Sequence, residues 1–187
     1  MSKKGLLIPI SAPSGTGKTT VCKELIDRSD KFEFSISCTT REPRKGEKDG
    51  EDYYFVSTQE FQELIEKGQL IEWEKVFDNY YGTLKQNLDN AIKNNKFLLL
   101  DIDVKGAKNI KEQYAENTFA VFLRPPSIKE LKRRLSERGT EDKETIQARN
   151  ARIEEEIQYE KYFDYTVVND ELEDTVNKIY QKIKEKR

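Results

Sequence analysis

Ser11-Ala12-Pro13-Ser14-Gly15-Thr16-Gly17-Lys18-Thr19-Thr20 decides how the rest of this chain is read. An apolar run, Leu6-Leu7-Ile8-Pro9-Ile10, precedes it, and an amphipathic run with Val21, Leu25 and Ile26 follows. A strand, a loop with glycines, then Gly-Lys-Thr at the mouth of a helix is a physical recipe for holding polyphosphate. Glycines let backbone N–H groups converge on anionic oxygens, and the helix N-terminus adds partial positive charge. Ala12, Pro13, Ser14, Gly15, Thr16, Gly17, Lys18 and Thr19 are therefore the candidate phosphate-binding residues, with Lys18 reaching the terminal phosphates and the Thr19 hydroxyl offered to Mg²⁺. The usual pattern has glycine where this chain has Ala12, so that position is expected to keep a negative φ. Pro9 is unusual for a central strand, because it has no N–H to give a ladder.

The 187 residues fit one domain with room for an inserted subregion. With 36% charged residues and a net charge of −2, nothing in the overall field favours nucleic acid or membrane surfaces, and any anion site must be a local cluster. No apolar run approaches a membrane span and no signal peptide is visible, so a cytoplasmic setting is expected. Cys22 and Cys38 read as small buried hydrophobes. The absence of histidine excludes His-based triads and most zinc sites.

Working outward from the loop, a helix is expected to about Arg28, then one strand over Phe32–Thr39 with Ser35, Ser37 and Thr39 on its polar face. The charged segment from Thr40 to Gly50 reads as a Pro/Gly-punctuated loop, and Tyr53–Val56 as a short strand. Ser57 and Glu60 form a capping box, with a helix ending near Gly68. Leu70–Phe77 reads as a strand, Asn79–Thr83 as a turn, and Leu84, Leu88 and Ile92 as a helical stripe. Phe97-Leu98-Leu99-Leu100 is a buried parallel strand whose end carries Asp101 and Asp103, where open α/β sheets bind ligands. A helix from Val104, a strand at Thr118–Leu123, helices at about 127–137 and 142–160, a strand at Tyr165–Val168 and a closing helix complete the chain. The alternation predicts a parallel sheet wrapped by helices.

Arg134 and Arg138 share a helical stripe with Leu131, and Arg149 lies between Ile146 and Ile153 on the next helix. One such arginine reads as snorkelling or an ion pair; three on adjacent helices point to an anion between them.

Taken together, these motifs resemble the guanylate kinase family of nucleoside monophosphate kinases. The matching pieces are Ser11–Thr20, Ser35–Glu47, Gly50–Phe55, Leu70–Trp73, Leu100–Asp103, Arg134–Thr140 and Val167–Asp170, with Gln69–Thr83 matching more loosely. The resemblance implies an α/β P-loop kinase fold with a core at about 1–33, 93–126 and 160–187, a GMP-binding insertion at about 34–92 and a helical lid at about 127–159. It implies transfer of the γ-phosphoryl group of ATP to GMP, with dGMP beside GMP as acceptor, Mg²⁺ as cofactor and no obligate protein partner. Arg41, Arg44, Tyr53 and Tyr81 fall to the acceptor phosphate, Ser37, Glu72, Thr83 and Asp101 to the guanine, and Glu47 to the GMP site without a more specific part. Lys18, Arg134, Arg138 and Arg149 fall to the transferring phosphates, and Asn169 to the ATP adenine. Asp103 is a candidate for holding Mg²⁺ through water, with a structural carboxylate as the alternative.

The chemistry agrees with that reading. Guanine presents N1–H and an N2 amine side by side, and one carboxylate accepts both, which adenine cannot satisfy. A phosphate monoester is already a dianionic nucleophile near neutral pH, so no histidine base is needed. Two rivals stand beside this reading: a related small-phosphate kinase, and a non-catalytic guanylate-kinase-like module that binds phosphopeptides.

Overall fold

The computed structural model describes residues 5–13, 15–76, 78–129, 131 and 153–186. Arg134, Arg138, Arg149 and Ser14, together with most of the expected lid, lie outside the described residues.

Five parallel strands form the main sheet: β1 (Leu6–Ser11), β2 (Phe32–Phe34), β7 (Phe97–Asp101), β8 (Val121–Arg124) and β9 (Tyr165–Val168). Their order is β2-β7-β1-β8-β9, so β1 is central and β2 and β9 are the edges. Helices α1 (Lys18–Ile26), α3 (Lys85–Lys93), α4 (Val104–Gln113) and α5 (Leu172–Glu185) cover its two faces. The period of two within the apolar runs explains this layering. Ile8, Ile10 and Leu99 pack with Val21, Leu25, Val176 and Ile179 on one face. Leu7, Leu98 and Leu100 pack with Leu88, Ala91, Ala107 and Ile110 on the other. Strands buried on both sides are continuously apolar for this reason.

Pro9 does sit in the central strand, opposite Leu100. Along a strand successive N–H groups point to opposite neighbours. The Leu7 carbonyl accepts from Phe119 on the β8 side, so the N–H that Pro9 lacks would also face β8. The β1–β8 ladder is interrupted there: Leu7 bridges Thr118 in isolation, and regular pairing resumes only at Ile10 and Val121. Strand β8 accordingly starts three residues later than expected, at Val121 rather than Thr118.

A second sheet, in the order β4-β3-β6-β5, is built from β3 (Cys38–Thr39), β4 (Tyr54–Phe55), β5 (Leu70–Val76) and β6 (Asn79–Leu84), with α2 (Thr58–Glu66) beside it. Two expectations fail here. The strand expected over Phe32–Thr39 is two strands in different sheets: β2 ends at Phe34, Ser35 N donates to Leu99 O, and Cys38 then pairs with Gly82. Alternating polarity continues across the break because it does not report which sheet a residue joins. The expected turn at Asn79–Thr83 is strand β6, antiparallel to β5 from Val76↔Asn79 to Glu72↔Thr83. Its tyrosines and threonine are strand formers, and β6 begins at Asn79, directly opposite the last residue of β5, Val76. Gly82 is required by close packing, since a Cβ there would stand 3.0 Å from both Leu70 and Phe61 side chains.

The Ser57–Glu60 capping box is present, with Glu60 N on Ser57 Oγ at 3.2 Å and Ser57 N on Glu60 Oε2 at 2.7 Å. Helix α1 ends slightly early, at Ile26. Among the described residues, no helix is long and apolar enough to cross a membrane.

Candidate active site

The phosphate loop leaves the C-terminal end of the central strand and enters α1. Gly17 is the residue before that helix and adopts φ 97°, where any side chain is strained. Gly15 is also left-handed, at φ 86°. Ala12 is not among the positive-φ residues, as expected for a position that tolerates a side chain. The Lys18 ammonium donates to Ala12 O at 3.1 Å, folded back over its own loop. Asn169, at the end of β9, is buried and braces this turn: its amide Nδ2 donates to Thr16 O at 2.7 Å. Ser11 Oγ donates to Ile102 O at 2.6 Å, tying the loop's root to the segment after β7.

The neighbouring parallel strand β7 ends in Asp101, and the Thr19 hydroxyl donates to Asp101 Oδ2 at 2.7 Å. Asp103, the candidate for holding Mg²⁺ through water, lies two residues further on. It precedes α4 and its Oδ1 accepts from Gly106 N at 2.7 Å, a helix cap. The carboxylate that meets the loop threonine is thus Asp101. A hydroxyl and a carboxylate, both hard oxygen donors, fit Mg²⁺, which takes few protein ligands and completes its shell with water and substrate phosphates.

Two connected clefts open beside this pair. One, of about 480 Å³, follows Thr19, Lys23 and Ile26 along α1 and is closed by Ser35, Ser37 and Tyr53. The other, of about 250 Å³, is lined by Glu72, Glu74, Tyr81, Thr83 and Asp103. Ser37, Tyr53 and Asp101 line both. Strand register explains the second lining: Glu72 lies opposite Thr83 and Glu74 opposite Tyr81, so all four share one face of the β5–β6 ribbon. The Thr83 hydroxyl donates to Glu72 Oε1 at 2.6 Å. Burial dominates that bond and pushes the Glu72 carboxyl up to about 7.

Arg41 lies in the segment the sequence reads as a charged loop. Its guanidinium is 5.5 Å from the Tyr53 ring, and Tyr53 meets Tyr81 edge-on at 6.1 Å. Burial raises the Tyr53 hydroxyl above the ordinary phenol range. Glu47 grips Arg41 through two bonds of 2.9 Å and accepts from Arg44 N at 2.7 Å. The Arg44 side chain is exposed.

The fold therefore brings together Lys18, Thr19 and Asp101 at one end, and Ser37, Tyr53, Glu72, Tyr81 and Thr83 at the other. Arg41, Arg44 and Glu47 line neither cleft, although Arg41 meets Tyr53 and the Tyr81 hydroxyl, two residues that do. Ser35 is a further lining residue that sequence alone does not mark as a site residue, although alternation places it on the same polar face as Ser37. It is 4% exposed, its hydroxyl has no protein partner among the described residues, and it lines the larger cleft. Cys22 and Cys38 are both buried free thiols; burial raises both, Cys38 to about 11.

A parallel sheet with this loop at the end of its central strand, and an acid at the end of the next strand meeting the loop threonine, defines a P-loop nucleotide-binding protein. Residues 4–186 match the family model described as guanylate kinase. The guanylate kinase of Clostridium tetani is 48% identical over 177 residues, covering 95% of this chain and 84% of that protein. The guanylate kinase of Chlorobaculum tepidum is 47% identical over 182 residues, covering 97% and 93%. The crystal structure of guanylate kinase from Anaplasma phagocytophilum superposes with a TM-score of 0.79 at 34% identity, covering 98% of this chain and 87% of that one. The chain belongs to the guanylate kinase family.

Proposed function

We propose that the protein transfers the γ-phosphoryl group of ATP to the phosphate of GMP, giving ADP and GDP. The observation that carries this reading is Glu72: a half-buried carboxylate, held by Thr83, in a cleft also lined by Asp101, the hydrogen-bond partner of Thr19. Its oxygens suit guanine N1–H and N2–H₂. Ser37 and Thr83 offer hydroxyls beside it, and Asp101 bounds the cleft on the loop side. Arg41, Arg44, Tyr53 and Tyr81 hold the acceptor phosphate.

An oxygen of that phosphate attacks the γ-phosphorus in line, and the bond to the β,γ-bridging oxygen breaks to release ADP. Lys18 and the loop N–H groups neutralise the charge that builds on the donor phosphates. Thr19, with Asp101 oriented on its hydroxyl, would hold Mg²⁺, which supplies further neutralisation when bound with ATP. Arg134, Arg138 and Arg149 complete the charge cage from segment 127–159, which acts as the lid over the core and the inserted second sheet and excludes water. Asn169 holds the loop and lies on the adenine side. The same cleft admits dGMP. The protein works in the cytoplasm as a soluble enzyme with no nucleic acid or membrane partner. The non-catalytic module reading is not favoured, because the phosphate loop keeps both Lys18 and Thr19 and the chain matches guanylate kinases over nearly its whole length.

A coupled ADP-release assay with GMP, AMP, UMP and dTMP as acceptors tests the proposal. Turnover is expected with GMP and at least about 10³-fold lower kcat/KM with AMP; equal rates across the four would contradict it.

A further inference from the structure

The resemblance places Glu47 in the GMP site, yet a carboxylate beside a phosphate dianion repels it. Both its oxygens are already committed to protein. Oε1 accepts from Arg41 Nη2 at 2.9 Å, and Oε2 accepts from Arg41 Nη1 at 2.9 Å and from Arg44 N at 2.7 Å. The pair is largely covered, with side-chain exposures of 15% and 20%, so it is less screened than a surface ion pair. The bond to Arg41 and the Arg44 N–H hold the Glu47 carboxyl below its usual range.

We infer that Glu47 is a positioning residue that selects which edge of Arg41 meets the acceptor phosphate. This rests on the reading of Arg41 as a phosphate ligand. A guanidinium has five N–H donors. Glu47 takes the end-on edge, one hydrogen from each Nη. The Glu42 carbonyl takes the other Nη1 hydrogen at 2.7 Å. Subtraction leaves Nε–H and the second Nη2 hydrogen. These two point the same way along the side of the guanidinium, the spacing that grips two oxygens of one phosphate. Besides Glu47, the side chain that bonds this guanidinium is the Tyr81 hydroxyl, itself read as an acceptor-phosphate ligand, so the remaining edge and that hydroxyl serve one phosphate together. The plane is fixed from the other side by ring packing, at 5.5 Å to Tyr53 and 5.8 Å to Phe55. The rings and Glu47 together leave Arg41 one edge to offer.

A different role for the same contact makes the opposite forecast. If Glu47 merely occupied Arg41 until phosphate displaced it, weakening Glu47 would tighten GMP binding. Calorimetric titration separates the two, using GMP and guanosine as probes on wild type, Glu47→Gln, Glu47→Asp, Arg41→Lys and the Glu47→Gln/Arg41→Lys double variant. The expected result is about tenfold weaker GMP binding in Glu47→Gln and in Glu47→Asp, whose carboxylate falls short. Guanosine affinity should stay unchanged, and Glu47→Gln should add no further loss once Arg41 is lysine. A general structural role would weaken guanosine and GMP alike, and that outcome overturns the inference. GMP binding unchanged or tightened in Glu47→Gln, with Arg41→Lys still weakened, also overturns it while sparing the phosphate assignment. Unchanged GMP binding in Arg41→Lys would instead remove the phosphate assignment itself, and this inference with it.

Discussion

Glu72→Gln is expected to lower kcat/KM for GMP by about 10²–10⁴-fold, while thermal stability at pH 8 rises. The two effects share one cause. Glutamine presents an N–H₂ where guanine needs a second acceptor, so one of the two guanine donors is left facing a donor in a desolvated cleft. The same desolvation is what the free protein tolerates in keeping an ionised Glu72. Its carboxyl titrates at about 7 in the folded state, against 4.5 ordinarily. A carboxyl raised on folding binds an extra proton in the folded form between those values. Its unfavourable contribution is therefore absent below about pH 4.5, grows as pH rises, and is complete above about 7. Removing the charge should stabilise the ligand-free protein by roughly 1–2 kcal/mol at pH 8, after allowance for solvent in the cleft, or about 2–6 °C in Tm. At pH 4.5 the variant should show no such gain. Thermal melts of both proteins at the two pH values check the sign.

The same shift gives GMP binding a pH dependence. Guanine needs the ionised carboxylate, so affinity for GMP should fall as pH drops through about 7, and binding at pH 6.5 should release a proton. Titration in buffers of different ionisation enthalpy reads that proton directly. Glu72→Gln should lose this dependence and keep only the one due to the GMP phosphate, whose second pKa is near 6.

Lys18→Ala is expected to have the other large effect, on the order of 10³-fold in kcat, with GMP affinity within about twofold of wild type. In the ligand-free protein the Lys18 ammonium rests on Ala12 O, inside its own loop and outside both clefts. It can therefore act on the donor phosphates without supporting the acceptor. The loop itself should survive the change, because its shape depends on Gly15, Gly17 and the Asn169 bond to Thr16 O. Single-turnover rates with GMP titrations on the same preparation check it; a parallel loss of GMP affinity would place Lys18 in the acceptor site instead.

Local patterns in the sequence carried much of this architecture. The strand–loop–helix at Leu6–Ile26, the apolar run at Phe97–Leu100 and the capping box at Ser57 each depend on residues within a turn or two of one another. What sequence could not show was pairing at a distance. Thr19 meets Asp101 across 82 positions, and Asn169 meets Thr16 across 153. Those two contacts put Asp101 rather than Asp103 beside the loop threonine and gave Asn169 a bracing task. The errors in the second sheet have the same origin. Asn79, Gly82 and the aromatic pair between them carry turn and strand signals at once, and only pairing with β5 decides between them. The Arg41–Glu47 contact is close in sequence but sits in a segment whose charge density reads as solvation until Tyr53 and Phe55 are seen packing on it.

The central claim is that one carboxylate reads the purine. The most direct test is the ratio of kcat/KM for GMP to that for IMP, which lacks only the 2-amino group, in wild type and in Glu72→Gln. A ratio of about 10 or more is expected in wild type, for one lost hydrogen bond to a charged acceptor, collapsing to within a few-fold of unity in the variant. A wild-type ratio near one, or a ratio that survives in Glu72→Gln, would contradict it.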